Sequence, residues 1–387
     1  MNSRSLTYSS FYLLFFSFQG LITGFFPLYC RNIGLLPFQI ALVSASESLA
    51  NLLGPLLLTS YLYQKPHTRK VLLQCSVAAC FLFFLLYCFK SFFAVLVIWF
   101  LCLFVHKSIL GVVDADAIRD DVGATIEYGR VRLWGSVGFM ITVFVLGWQR
   151  DEFGISSTLL SGLFILGLLC AASTLVPEVS FEKEKKRAHT FKTFFASIYS
   201  KSLILFLLAS MFSWAAGGLF VTYFSLRLEQ LGCNGKLISL AWIVGVVAEV
   251  VIFVYFTAIE KYFSLVTVLR WSILLTVLRW VLVATSSSVW VIILSQTFHA
   301  FSFGSLHLSS MKLMHSMLPS EHRYRGQALL IAVSGGIGTL LGRLVGGLGA
   351  YVLGEKSDLS QLFWLSVALS AIAAYFAYKL KPSEETA

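Results

Sequence analysis

The residues that could do chemistry are ionisable side chains that stand inside long apolar runs. Where such a run crosses a bilayer, an ionised group at its centre costs on the order of 3 kcal/mol, so it should face a cavity or a partner. Both signs of charge occur, which favours paired or hydrated groups that bind a solute or move a proton. These residues are Glu47, His106, Lys107, Asp114, Asp116, Glu249, Arg270, Arg279, His299, His307 and Arg343.

The run near 92–117 carries the most charge. Lys107 and Asp114 are one heptad apart, which predicts nearly the same helix face, whereas Asp116 points elsewhere. In the following run, Arg130 and Arg132 are separated by about 200° around a helix, so at most one of them can face the same cavity. Both arginines could instead be cytoplasmic anchors of the helix.

Glu249 is the single charge of its run, and no lysine or arginine lies within two turns of it. We expect a carboxyl group in such a setting to take up and release a proton near neutral pH. Structural pairing with Arg279 is the alternative. A later run holds His299 and His307, which are either functional groups or hydrogen-bonded packing residues.

The composition indicates which elements must position these residues. Of the 387 residues, 58% are hydrophobic and 12% are charged, which excludes an ordinary soluble protein, a disordered chain and a disulfide scaffold. At roughly 20 residues per span, the length predicts an all-α polytopic membrane protein with about twelve transmembrane helices. Suitable runs lie near 9–30, 39–63, 71–89, 92–117, 131–149, 155–176, 201–227, 236–258, 263–284, 288–316, 326–353 and 360–380.

Charge also predicts orientation and organisation. The net charge of +10 comes from basic residues that collect in alternate loops, which places both termini in the cytoplasm and argues against nucleic-acid binding. The polar stretch 182–187 reads as part of a solvated linker. We therefore predict a six-helix half over 1–177, a cytoplasmic linker over 178–200 and a second half over 201–387.

The two halves repeat in sequence. A shift of 198 residues aligns Gly20 with Gly218 and Gly34 with Gly232 without a gap, although chance similarity between apolar helices is the alternative. A six-plus-six parallel repeat is typical of major facilitator transporters, whose substrate site lies at mid-membrane between the halves. A further stripe of small residues, at i, i+4 spacing, predicts close helix packing, with a role in motion as the alternative: Gly338, Gly342, Gly346, Ala350 and Gly354.

At these positions the sequence resembles the lactose-permease-like branch of the major facilitator superfamily, and the phenylpropionic acid permease group in particular. Asp114 is followed fourteen residues later by Tyr128-Gly-Arg-Val-Arg132, as an acidic sugar ligand is followed by an aromatic-Gly-Arg-x-Arg run in lactose permease. The resemblance implies that Asp114 and Arg132 bind the substrate. It also implies that Phe139 replaces the tryptophan on which the sugar ring stacks.

The resemblance extends to the second half. Glu249 matches the essential glutamate of span eight, and Arg279 and His299 keep the spacing of an arginine and a histidine in spans nine and ten. These three residues are therefore implied in proton coupling, and His299 in substrate binding as well. Ser302 stands where lactose permease has its proton-releasing glutamate, and the usual gating motif is absent from 61–67.

We predict from these observations a proton-coupled symporter that imports a small organic solute, either an aromatic carboxylate or a sugar or nucleoside. A proton-coupled exporter and, less favoured, a receptor on the same fold are the alternatives. No enzyme motif is present, and no metal or cofactor is expected beyond the proton gradient. We expect a monomer in a bacterial inner membrane. Glu47, Lys107, Asp116 and His307 are secondary site residues.

Overall fold

The computed structural model describes residues 3–62, 68–117, 128–177, 200–355 and 357–380. Within these ranges every regular element is helical. Nine of the described helices are long and apolar enough to cross a membrane, or ten when one bent pair is counted as a single span. The described part of the chain therefore has the architecture of a multi-pass membrane protein.

The first-half helices are α1 (Ser3–Gly24), α2 (Phe26–Asn32), α3 (Pro37–Leu62), α4 (Thr68–Leu85), α5 (Phe92–Ala117), α6 (Tyr128–Phe153) and α7 (Ser157–Leu175). The second-half helices are α8 (Lys201–Gln230), α9 (Gly235–Ile259), α10 (Leu265–Thr285), α11 (Val289–Ser295), α12 (Leu306–Met317), α13 (Arg323–Ile331), α14 (Thr339–Leu353) and α15 (Ser360–Lys379). A 3₁₀ turn, Gln296–Phe298, and a π-helix, Ala300–Ser305, join α11 to α12. A second π-helix, Ala332–Gly338, joins α13 to α14.

The described helices coincide with the predicted runs, but three of these runs are not single regular helices: the tenth and eleventh contain the 3₁₀ turn and the π-helices, and the first is bent. The predicted first span is divided into α1 and α2, which meet at an angle of 44°. Pro27 lies in the first turn of α2. Proline has no N–H, and its ring clashes with the carbonyl of the residue four positions earlier, so the helix bends there.

Contacts divide the chain into two units. The first comprises Met1–Lys185 with Asn234–Ser239, and the second comprises Lys186–Cys233 with Leu240–Ala387. In the first unit, aromatic rings fill the core, with Phe26 stacked on Trp99 at 3.4 Å between centroids. In the second, Phe206, Leu269 and Leu313 belong to one buried apolar cluster. The predicted linker lies outside the described residues except for Ser200, whose side chain accepts a hydrogen bond from the backbone N–H of Leu203.

The predicted repeat is visible in the backbone. Gly34 and Gly232, aligned by the shift of 198, have φ values of +88° and +81°. The N–H of Leu35 bonds to the carbonyl of Cys30, and the N–H of Cys233 bonds in the same way to Leu228. This is the pattern of a helix that ends on a left-handed glycine. The aligned helices of the two units therefore end in the same way, which supports the predicted repeat.

The small-residue stripe packs helix on helix, as one of its two interpretations predicts. A Cβ added to Gly342 would overlap the carbonyl oxygen of Ala215 on α8, and one added to Gly338 would stand 2.6 Å from the carbonyl oxygen of Met211. Gly354 does not belong to this stripe, and including it was wrong. It follows the end of α14 at a φ of +86°, where it stops the helix.

Candidate functional site

A buried polar cluster in the second unit is centred on Arg279 of α10. Arg279 is 2% exposed, and its guanidinium group lies over the ring of Phe220, 4.4 Å from the ring centroid. It donates to Oε1 of Gln296 and, over 2.6 Å, to Oγ of Ser302. Ser302, the position where lactose permease has an acid, is therefore a neutral acceptor for Arg279.

His299 connects Arg279 to Glu249. Nη1 of Arg279 lies 3.1 Å from Nδ1 of His299, and Nε2 of the same ring lies 3.3 Å from Oε2 of Glu249. Arginine can only donate, so Nδ1 must accept and the ring proton of neutral His299 resides on Nε2, facing the carboxylate. Among the described residues Arg279 reaches Glu249 only through His299, so the alternative of a direct Arg279–Glu249 pair was wrong.

Irregular helix geometry positions this cluster. The 3₁₀ turn has three residues per turn, which brings Gln296 and His299 to the same face, towards Arg279. The π-helix that follows includes Ser302 and Phe303. Segments of π-helix occur frequently at functional sites. On α9, Gly245 packs against His299: a Cβ at this position would lie 3.5 Å from Cβ of His299, an ordinary van der Waals distance.

His307 continues the same face as part of an aromatic column. Phe303 stacks between His299 and His307, with centroids 5.6 and 5.5 Å away. Trp214 of α8 contacts Phe303 edge-on at 5.6 Å. His307 is thus placed two turns from His299 on the same apolar column, but not in the hydrogen-bonded cluster around Arg279.

In the first unit, Asp114 and Arg132 meet at Tyr12. The hydroxyl of Tyr12 donates to Oδ1 of Asp114, and the guanidinium group of Arg132 lies 5.7 Å from the centroid of the Tyr12 ring. Arg132 also lies 3.8 Å above the ring of Phe16. The two residues predicted to bind substrate therefore share a tyrosine on α1 that the sequence analysis did not select. Phe139 is half-buried on α6.

The secondary residues Glu47 and Lys107 form an ion pair. Nζ of Lys107 lies 3.1 Å from Oε1 of Glu47, and each side chain is 10% exposed. Lys107 also donates to Oε1 of Gln19, whose amide nitrogen donates to Thr23 over 2.8 Å. Three helices, α1, α3 and α5, contribute to this cluster.

Of the other predicted candidates, His106 and Arg270 lie outside these polar clusters. His106 is fully buried, stacked on Phe15 at 4.3 Å and edge-on to Phe18. Arg270 donates to the backbone carbonyls of Ala377, Tyr378 and Leu380, which closes the end of α15. The side chain of Asp116 and the predicted loop residues 63–67 lie outside the part of the chain that the structure describes.

Charged side chains held in polar clusters inside apolar helices, in two units with a sequence repeat, are typical of an integral membrane transporter. A model of the MFS_1-like family matches residues 5–361. The chain belongs to this family of major facilitator transporters.

Similar sequences are bacterial transporters. A probable 3-phenylpropionic acid transporter of Escherichia coli (strain K12) is 24% identical over 96% of this chain and 97% of its own length. An uncharacterised transporter of Bacillus subtilis (strain 168) is 22% identical over 62% of this chain, and a maltose permease of Geobacillus stearothermophilus is 24% identical over the same share. The chain spans about three fifths of the length of these last two relatives.

Solved structures show the same fold. The nucleoside transporter NupG superposes with a TM-score of 0.85 at 16% identity and covers 98% of this chain and 100% of its own. A D-xylose-proton symporter superposes with a TM-score of 0.70 at 14% identity and covers 100% of this chain and 99% of its own. The predicted fold of twelve helices in two six-helix repeats is therefore confirmed.

Proposed function

We propose that the protein is a proton-coupled symporter that imports a small organic solute by alternating access. The observation that carries the proposal is the position of His299 between Arg279 and Glu249. A carboxylate hydrogen-bonded to a neutral imidazole, with no arginine or lysine in direct contact within the described part of the chain, is suited to carry the coupled proton. Solved relatives include a protein described as a D-xylose-proton symporter, which supports coupling to protons.

The cluster supplies a physical basis for coupling. In the deprotonated state, Glu249 accepts a hydrogen bond from Nε2 of His299 and offsets part of the charge of Arg279. When Glu249 takes up a proton, that negative charge disappears. The positive charge of Arg279 then attracts an electron-rich group of the solute, so that proton and solute bind together.

Asp114, Arg132 and Phe139, together with His299, are our proposed solute ligands. A carboxylate and a guanidinium group provide acceptors and paired donors for bidentate hydrogen bonds. Similar proteins are described as transporters of 3-phenylpropionic acid, maltose and nucleosides. Our proposal therefore keeps both substrate classes, an aromatic carboxylate and a sugar or nucleoside.

The proton gradient supplies the driving force, and no other cofactor is proposed. One proton that crosses about 100 mV provides roughly 2.3 kcal/mol, which supports about fiftyfold accumulation of a neutral solute. The proposed setting is a bacterial inner membrane with both termini in the cytoplasm, and the proposed functional unit is a monomer.

The direction of coupled proton flow tests this proposal. Purified protein is reconstituted in lightly buffered proteoliposomes, and maltose, uridine or 3-phenylpropionate is added outside without a pH gradient. A symporter takes up protons with the solute, so the external medium becomes more alkaline. Acidification of the medium would indicate the alternative, an exporter that exchanges solute for protons. Solute flux without any proton movement would contradict coupling altogether.

A further inference from the structure

The first unit carries a second polar cluster that the proposed solute ligands do not include. Gln19, Glu47 and Lys107 come from three different helices and contact one another directly, and the Glu47–Lys107 pair is 3.1 Å apart. Replacing a buried ion pair by apolar residues is often neutral or stabilising, so stability alone does not account for such a group. Ionisable residues inside a membrane are functional candidates by default.

This cluster lies on the same helix faces as Asp114. Lys107 of α5 contacts Gln19 of α1, and Asp114 of α5 contacts Tyr12 of α1. The two residues on each helix are seven positions apart, so both contacts lie along the same interface between α1 and α5. Seven residues rise about 10 Å along a helix. Tyr12, Phe16, Gln19 and Thr23 follow one another at helical spacing on α1 and form a stripe that joins the two clusters.

The hydrogen-bonding capacity of the cluster indicates its ligand. The ammonium group of Lys107 has three donors, of which Glu47 and Gln19 use two within the described residues. The third can donate to a ligand oxygen. A hydroxyl group that accepts from Lys107 can also donate to the carboxylate of Glu47. A ligand carboxylate has no proton to donate and would be repelled by Glu47.

We infer that Gln19, Glu47 and Lys107 form a hydroxyl-binding subsite that selects neutral solutes with vicinal hydroxyl groups over aromatic carboxylates. This inference rests on the proposed transport function and narrows its substrate class. Both charged side chains are mostly buried but not fully closed off, with 10% of each exposed. The distance of about 10 Å from Asp114 suits a solute the size of a disaccharide or a nucleoside.

The test measures binding to the purified full-length transporter by calorimetry, with uridine, 2′,3′-dideoxyuridine, maltose and 3-phenylpropionate as probes. Hydrogen bonds to charged groups contribute enough for at least a tenfold preference for uridine over its dideoxy analogue. In Glu47→Gln/Lys107→Gln this preference should disappear. The matched control, Glu260→Gln/Lys312→Gln, removes a more exposed ion pair of the second unit and should retain it.

A charge exchange separates recognition from structure. Glu47→Lys/Lys107→Glu keeps an ion pair but exchanges the positions of the hydrogen-bond donor and the acceptor. If the pair binds the solute's hydroxyl groups, this variant loses the preference for uridine. If the pair only stabilises the fold, the preference is unchanged. Tighter binding of 3-phenylpropionate than of both uridine and maltose would overturn the inference, as would an unchanged preference in both double variants. None of these binding results depends on proton coupling, which is tested separately through proton flux.

Discussion

Two substitutions of His299 separate its contact with Glu249 from its contact with Arg279. In His299→Asn the amide oxygen replaces Nδ1 and keeps an acceptor for Arg279, but the side chain is too short to reach Glu249. In His299→Gln the amide nitrogen replaces Nε2 and keeps a donor for Glu249. The two contacts measure 3.1 and 3.3 Å in the structure, so His299→Asn can keep the contact with Arg279 and His299→Gln can keep the contact with Glu249.

The expected loss of solute accumulation follows from the strength of a hydrogen bond to the charged carboxylate of Glu249. A hydrogen bond to a charged group contributes about 1.5–3 kcal/mol, equivalent to about a tenfold to hundredfold change in an equilibrium constant. We therefore expect His299→Asn to lower solute accumulation under an inward proton gradient by at least tenfold, and His299→Gln to lower it less. Counterflow needs no net proton movement, so in both variants it should fall less than accumulation does, by no more than the loss of one of the four proposed solute ligands causes.

The assay compares these two rates in the same proteoliposomes. Accumulation is measured after a pH jump, and counterflow is measured with solute preloaded at equal pH. If His299→Asn accumulates solute as wild type does, or if His299→Gln is the more impaired variant, the relay from Arg279 to Glu249 is not the coupling element.

Three further outcomes follow from single contacts. Gly342→Val should lower the thermal unfolding temperature in detergent by several degrees, because the added carbon atoms overlap the Ala215 carbonyl, whereas Gly167→Val has open space around it. Tyr12→Phe removes the donor to Asp114 and should weaken solute binding about tenfold in calorimetry. Burial raises the pKa of Asp358, but hydrogen bonds from Ser360 and the charge of Arg227 outweigh it, so its pKa lies below the ordinary value. The resulting stability is present above the unfolded pKa of about 3.9 and is lost as the pH falls through the lower folded pKa, so Asp358→Asn should lose less thermal stability than wild type between pH 5 and pH 3.

Much of the fold could be predicted because apolar length and glycine spacing are local features. The runs near 201–227 and 360–380 match α8 and α15 closely, and Gly34 and Gly232 end helices as their alignment indicates. The bend before Pro27 and the π-helix at Ala300–Ser305 were not predicted. A hydrophobic run gives the length of a span but contains little information about its local helix type.

Some residues of the candidate sites could likewise be predicted from the sequence, and others could not. Charged residues in apolar runs are conspicuous, so Asp114, Arg132 and Glu249 could be selected from the sequence. Tyr12 and Gln19 were missed because they are neutral residues of an apolar helix. Their seven-residue spacing, which equals that of Lys107 and Asp114, is the signal that could have found them.

Pairings between distant residues could not be predicted, because they depend on how helices pack. Glu47 and Lys107 are 60 positions apart in sequence and meet only through the packing of α3 against α5. Glu249 and Arg279 have opposite charges and lie on consecutive helices, so their pairing was the alternative prediction. The side chain of His299 lies between them, because the 3₁₀ turn before it faces α10.

The most direct test of the account is solute-driven proton uptake by Glu249→Gln in proteoliposomes. The account predicts that alkalinisation of the medium and uphill accumulation are both lost while counterflow persists, because a glutamine side chain cannot carry the proton. Glu260→Gln is the matched control, since this carboxylate pairs with Lys312 outside the Arg279 cluster and should leave proton uptake intact. Proton uptake at the wild-type level in Glu249→Gln would contradict the central role of Glu249.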